Sequence, residues 1–384
     1  MNRIYLDNAA TTKIDDEVLG AMLPFLKENF GNASSNHYFG KSAKVLLEEA
    51  RDLVAAYTGA HPKEIFFTNG GTESNNFALK GTAMKFYGTE KNHIISSSIE
   101  HLAVLDSLNY LSSKFNFKVT YVKPSPDGTI SAEKIRENIT KKTFLISVMH
   151  SNNETGVIND IGKIAEIANE NNLLIHTDSV QSIGKTDFNV KKLNVNFATI
   201  SAHKIYGPKG IAVLYAKDKT PLEKFIHGGK QERDMRGGTE NIAAVAGLKK
   251  AVELLMQKYD KDVKHYLSLK TLLTGNLNSA FGDSVLFNSG EENSLPNIVN
   301  ISFDREKVLY DEEMILIQLD QKGIAVSGGS ACTSGTHQPS HVLLELGRDR
   351  ISALGSLRIS FGRENTAEEV NYFTDCLKET VKQK

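Results

Sequence analysis

The sequence predicts an α/β fold, a mainly parallel sheet covered by helices, and three observations carry the prediction. Seven short β-rich runs alternate with helical patterns through the first two thirds of the chain, an almost wholly helical stretch follows from Asn241 to about Phe281, and mixed strands and helices return after it. The alternation matters because consecutive parallel strands need a crossover, which a helix supplies. At 384 residues the chain is too long for one small core and fits two domains, or one large α/β unit with a smaller appendage.

Taken in order, Ile4-Tyr5-Leu6 is a short strand-like start that joins one of the later units rather than standing alone. The seven runs are Glu64 to Thr68, His93 to Ser96, Lys118 to Val122, Thr143 to Val148, Leu173 to Thr177, Phe197 to Ser201 and Gly210 to Tyr215, apolar and rich in β-branched or aromatic residues. In the helical stretch, Val245, Leu248, Val252, Leu255 and Met256 recur at spacings of three and four, one apolar stripe of a helix that reads as the passage between domains. Beyond it come a strand at Asn297 to Phe303, a helix around Glu313 to Gln321, a strand at Ser356 to Phe361 and a closing helix near Ala367 to Val381.

The balance of 45 Lys and Arg against 46 Asp and Glu leaves no basic excess for a phosphate backbone, so nucleic acid is not the expected ligand. The opening MNRIYLDNAATTKIDDE turns acidic with no apolar core of a leader, and no apolar run approaches membrane-spanning length. Cys332 and Cys376 are the only cysteines, too few for a disulfide framework. A soluble, reducing, cytoplasmic setting is expected. Gly184-Lys185-Thr186 imitates the end of a nucleotide-binding P-loop, but the required upstream glycine would fall at Ser179, and no G-x-G-x-x-G follows any predicted strand.

In open α/β sheets ligands sit beyond the carboxyl ends of the strands, so the polar residues just after each run are the site candidates. After Phe67 comes Thr68 to Asn76, where Gly70 and Gly71 allow close backbone approach and a helix begins near Thr72. That is either an anion site at a helix N-terminus or a glycine turn with Thr72 as N-cap. After Thr177 come Asp178 and Gln181; an aspartate there can pair with a protonated pyridine nitrogen, or simply cap a turn. Lys204 stands just past a strand, between His203 and the Gly207-Pro208 turn, a setting in which partial burial can make a lysine a Schiff-base nucleophile.

At these residues the chain resembles the cysteine desulfurases of the NifS/IscS type, within the class V aminotransferase group. The resemblance runs along nearly the whole sequence through Tyr5 to Thr12, Gly31 to His37, Gly71 to Asn76, Glu100 to Asp106, Ser151 to Gly156, Ser201 to Gly210, Arg236 to Asn241 and Gly329 to Ser334. It implies a homodimer of fold-type-I architecture. A large domain (15–250) would hold a mainly parallel seven-stranded sheet, and a smaller α+β domain (1–14 and 251–384) would carry the Cys332 loop. It also implies pyridoxal 5'-phosphate bound covalently to Lys204, with His101 on the ring face, Asp178 at the pyridine nitrogen and Gln181 at the phenolic oxygen. Phosphate contacts would come from Gly71, Thr72, Ser201 and His203, joined by Thr239 from the partner subunit. Asn32, Asn153 and Arg358 would hold the substrate carboxylate, and Asn153 would also contact the cofactor.

Arg358 fits that role physically: in Ser356 to Phe361 the apolar residues 357, 359 and 361 point one way and Arg358 the other, although an exposed strand arginine has the same pattern. His101 is a proton carrier by the resemblance and a hydrogen-bonded structural histidine without it. Cys332 lies among small residues in a loop leading to a helix capped by Ser340, which favours a reactive thiol over a packed one. A zinc site from Cys332, His337 and His341 would lack a fourth ligand. Cys376 falls on the apolar pattern of the last helix and reads as a buried bystander. The implied reaction converts L-cysteine to alanine and leaves sulfur as a persulfide on Cys332 for an acceptor, an iron-sulfur scaffold or a tRNA-thiolation enzyme. A selenocysteine lyase and a class V aminotransferase share the cofactor site, but the aminotransferase needs no thiol.

Overall fold

A computed structural model describes residues 3–290, 292–328 and 338–384. Strand β1 (Ile4–Tyr5) opens the chain, and the seven apolar runs become β2 (Ile65–Thr68), β3 (His93–Ser97), β4 (Lys118–Val122), β5 (Thr143–Ser147), β6 (Leu174–Asp178), β7 (Phe197–Ser201) and β8 (Ala212–Ala216). These seven form one sheet in the order β2-β8-β7-β6-β5-β3-β4. Only β8 runs against its neighbours, pairing antiparallel with both β2 and β7. The cause is local: residues 202–211, which join β7 to β8, are too few for a helical crossover, so the chain must turn straight back. The parallel strands therefore share one carboxyl edge, where Asp178 ends β6 and Ser201 ends β7.

One buried cluster joins this sheet to its covering helices through residues such as Leu47, Val54, Ile175, Val213, Leu248 and Leu255. A second gathers Leu6, Tyr266, Leu273, Ile301, Phe303, Leu319, Phe361 and Phe373. It surrounds β9 (Val285–Phe287), β10 (Ile298–Phe303) and, past the short strands β11 (Val308–Leu309) and β12 (Ile324–Ala325), β13 (Leu357–Ser360), an antiparallel sheet in the order β13-β10-β9. The helix Ile242–Phe281 belongs to both clusters; its 40 residues reach about 60 Å, and its N-cap Asn241 accepts from Ala244 N–H at 3.1 Å. The boundary expected at 250/251 lies inside this helix, and we propose that the domains divide between Leu255 and Tyr266, where its buried face passes from one cluster to the other.

The chain's start is sewn into the second cluster. β1 pairs parallel with β12, and Ser360 N–H donates to Leu6 O at 2.7 Å. Thr12 then reaches the first domain, its hydroxyl donating to His203 O at 2.9 Å and accepting from Tyr206 N–H at 2.8 Å. The closing helix Ala367–Thr380 starts on a capping box of Thr366 and Glu369 and buries Cys376. Among the described residues no helix is long and apolar enough to cross a membrane, and no cluster of His, Cys, Asp and Glu could hold a metal ion.

Candidate active site

The link that reverses the chain after β7 also presents the lysine. Ser201 ends the strand, a single 3-10 turn (Ala202–Lys204) follows, and the backbone closes so tightly that a Cβ on Gly207 would lie 2.8 Å from Ala202 O. Lys204 Nζ donates to Ala9 O at 2.6 Å and to Ala10 O at 2.8 Å. Beside it, His203 Nδ1 meets Thr11 Oγ1 at 3.1 Å, and burial, reinforced by the positive charges of Lys204 and Lys209, holds the imidazole down to about 4. His203 is therefore a neutral hydrogen-bonding ring at neutral pH.

Asp178, buried at the end of β6, accepts from Asn75 Nδ2 at 2.6 Å and from Val180 N–H at 3.0 Å. The turn contact with Val180 and the contact with Asn75 thus fall on different oxygens of one carboxylate. Gln181 Nε2 donates to Ala9 O at 2.9 Å. The helix Gly71–Phe86 follows Gly70 with no side-chain cap, which corrects the reading of Thr72 as its N-cap. Its first N–H groups are left for another partner. A Cβ on Gly71 would stand 3.0 Å from Val180 Cγ2 and 3.8 Å from Ser201 Cβ, so this helix start lies close against the ends of β6 and β7.

His101 caps the helix Leu102–Phe115, its Nδ1 accepting from Ala103 N–H at 3.1 Å. A nitrogen that accepts carries no hydrogen, so the neutral ring bears its proton on Nε2. Arg358 is 4% exposed, against the exposed-arginine reading. Its Nη2 pairs with Asp7 Oδ1 at 2.7 Å, Nη1 donates to Asn153 O at 2.9 Å, and Nε has no partner among the described residues.

One cavity of about 500 Å³ collects Gly71, Thr72, His101, Asn153, Asp178, Gln181, Ser201, His203, Lys204 and Arg358. Asn32 and Thr239 are exposed and do not line it; Asn32 Oδ1 instead accepts from Ser34 N–H at 2.9 Å. Cys332 lies outside the described residues, as does His337 of the zinc alternative. Gln338, Pro339 and His341, which follow that segment, form part of the cavity wall.

Residues 4–373 match the family described as Aminotransferase class-V. A cysteine desulfurase IscS of Dictyoglomus turgidum is 42% identical, with 98% of this chain and 94% of that protein covered. The chain belongs to the NifS/IscS-like cysteine desulfurases of the class V aminotransferase family. A putative cysteine desulfurase IscS 1 of Bacillus subtilis is 40% identical over 100% of this chain and 99% of its own. Among solved structures, a NifS-like protein superposes with a TM-score of 0.90 at 38% identity, covering 98% of each chain. SspA in complex with cysteine superposes with a TM-score of 0.79 at 36% identity, covering 93% of this chain and 98% of its own.

In this member of the desulfurase family the site also contains groups that sequence reasoning passed over. Asn75 is one, since only the fold brings it against Asp178. The carbonyls of Ala9 and Ala10 are others, because a backbone acceptor leaves no mark on residue type. Glu100 is fully buried, and burial pushes its carboxyl up to about 8 although Ser97 Oγ and Met149 N–H both donate to Oε1; Oε2 has no partner among the described residues. Glu154 is pushed up to about 7 by burial, opposed by the hydrogen bond from Ser340 Oγ and by the charge of Arg358. Both glutamates stand inside matching motifs, but nothing in their spacing announced burial.

Proposed function

We propose that this cavity binds pyridoxal phosphate and that the chain uses it to take sulfur from L-cysteine, releasing alanine and leaving a persulfide on Cys332. The observation that carries the reading is the meeting, in one cavity, of a lysine amine, a buried carboxylate held by donors, and a buried arginine with donors to spare. The donor set fits the group: Asp178 would face the pyridine nitrogen, Gln181 the phenolic oxygen and His101 the ring. The uncapped start of Gly71–Phe86, with Thr72, Ser201 and His203, would hold the phosphate. Thr239 would reach the phosphate of the partner subunit in a homodimer, consistent with its exposure here.

Pyridoxal phosphate, when bound, supplies the electron sink that makes the Cα proton of an amino acid removable. Lys204 Nζ would hold the group and supply an amine able to move that proton. Asp178 would sit at the ring nitrogen and favour its protonated form. Arg358, Asn153 and Asn32 orient the substrate carboxylate, and His101 exchanges a proton from Nε2. The Cys332 thiolate attacks the substrate sulfur; the S–Cβ bond breaks, the S–S bond forms, and Cβ receives a proton as alanine leaves. The acceptor would be an iron-sulfur scaffold or a tRNA-thiolation enzyme in the cytoplasm. The names of the relatives and the solved SspA–cysteine complex support L-cysteine as substrate. The test is to incubate the purified holoenzyme with L-cysteine and a thiol reductant and assay alanine and sulfide together; equal amounts are expected, and neither product above background would overturn the reading.

A further inference from the structure

Lys185 belongs to the Gly184-Lys185-Thr186 stretch that imitated a P-loop, and the function just described gives it no task. It is buried beneath the turn that presents Lys204, where its Nζ donates to the Lys204 backbone carbonyl at 3.2 Å. The same ammonium lies 5.7 Å from the centre of the Tyr266 ring. Gly184, at φ +70°, makes the approach possible: a Cβ there would stand 2.6 Å from Leu255 Cδ1 and 3.3 Å from Ile205 Cγ2. Tyr266 shares a hydrogen bond of 2.8 Å with Tyr206, which sits two residues beyond Lys204 at φ +64°.

The charged groups around it have partners of their own. Asp262 is paired with Arg363 Nε at 2.7 Å, and Arg363 also meets Asp15 at 3.4 Å and covers the Tyr206 ring at 4.1 Å. Among the described residues no carboxylate comes within ion-pair distance of Lys185, which leaves a buried cation on a carbonyl and a π face. Burying a cation on such terms is costly to the fold.

We propose that Lys185 is a positioning residue for the reaction at Lys204: from beneath the turn it holds the Lys204 backbone and sets the field in which the Lys204 nitrogen takes up and gives up its proton. Burial, with the charges of Arg363 and Lys204 adding to it and Asp262 opposing, brings Lys185 down to about 8, so it is an ammonium at neutral pH. The repulsion between the two lysines is mutual, and removing one charge eases protonation at the other.

The inference rests on Lys204 being the cofactor-bearing lysine, which borohydride reduction and peptide mapping of the wild-type holoenzyme test separately. Lys185→Met and Lys185→Gln are then compared by the pH midpoint of the holoenzyme's visible band. Both should move the midpoint upward, by about half a pH unit or more, because a neighbouring positive charge is removed. Lys185→Gln, which keeps a donor, should retain faster turnover than Lys185→Met at matched protonation. Folded variants that load cofactor with unmoved midpoints overturn the inference while leaving Lys204 in place. Borohydride label on another lysine overturns both. Failure of both variants to fold also overturns it, in favour of a purely structural lysine, whereas loss of cofactor loading with unchanged melting supports it.

Discussion

Arg358→Lys isolates what a two-pronged grip contributes to substrate recognition. A guanidinium has five N–H bonds. Here Nη2 directs one to Asp7 and Nη1 one to Asn153 O, which leaves Nε–H and one hydrogen on each Nη for a substrate carboxylate. Two parallel charge-assisted hydrogen bonds can therefore form without breaking the pair with Asp7. A lysine keeps the charge beside Asp7 but offers a single ammonium on a shorter reach, so at least one substrate bond is lost and the other weakened, about 2–3 kcal/mol in total. That corresponds to a fall in kcat/KM for L-cysteine of about 30- to 150-fold. The assay is the initial rate of alanine release across cysteine concentrations, with the cofactor band as a control for loading. Cysteamine, which lacks the carboxylate, should be turned over equally by both proteins. A kcat/KM within threefold of wild type, or an equal loss with cysteamine, would refute the assignment of Arg358 to the carboxylate.

Asp178→Asn should keep the fold, since its one amide oxygen can still accept from Val180 N–H while Asn75, whose Oδ1 has no partner among the described residues, can flip to accept from the new NH2, yet lower alanine production by about a hundredfold or more because an amide does not hold a ring nitrogen protonated; undiminished turnover removes Asp178 from the mechanism. Glu100→Gln tests a buried proton: burial raises the folded carboxyl to about 8 from 4.5, so between those values the folded state holds a proton that the unfolded state has lost, and wild-type stability declines as pH rises, by at most about 5 kcal/mol over the window. The variant cannot titrate there, so its stability relative to wild type, from denaturant midpoints, should improve between pH 5.5 and 8.5; parallel pH profiles would count against the buried acid. Cys332→Ser should load cofactor normally and release neither alanine nor sulfide, and alkylation after brief exposure to cysteine should find the extra sulfur on Cys332, with a persulfide on buried Cys376 as the contrary result. If Thr239 completes the partner's phosphate site, cofactor affinity should fall on dilution into monomers, and a monomer that keeps its cofactor unchanged would contradict this.

Six strands of the large sheet were legible as largely apolar runs because they are buried along almost their whole length, whereas the partly buried edge strand β4 was legible from its β-branched and aromatic residues. The long helix was legible from apolar residues at three-to-four spacing along one buried stripe, and the strand at Arg358 from strict alternation. The antiparallel turn of β8 was not, since direction depends on the length of the link and leaves no trace in composition. In the site, Lys204, Asp178 and Arg358 stand after or within strands whose ends could be read, and the cavity gathers them. Lys185 was visible but misleading, its glycine suggesting a phosphate loop when it serves close contact with Leu255 and Ile205. Asn75, Glu100 and Glu154 depend on which surfaces become interior, a property of the assembled chain.

The stitching of the first residues has a consequence for when the enzyme can first exist. Ile4 pairs with Ile324, Asp7 with Arg358 and Asn8 with Ser360, so this segment finds its partners only after the strands far downstream have been made. The carbonyls that receive Lys204 Nζ, those of Ala9 and Ala10, sit on this same segment. The large sheet can form from local βα units during synthesis, but the wall behind the lysine waits for contacts of very long sequence separation, which are the slow ones to close. The setting of Lys204 is thereby tied to the late strands: a product lacking β12 and β13 would carry Lys204 without the anchored carbonyls that receive its amine.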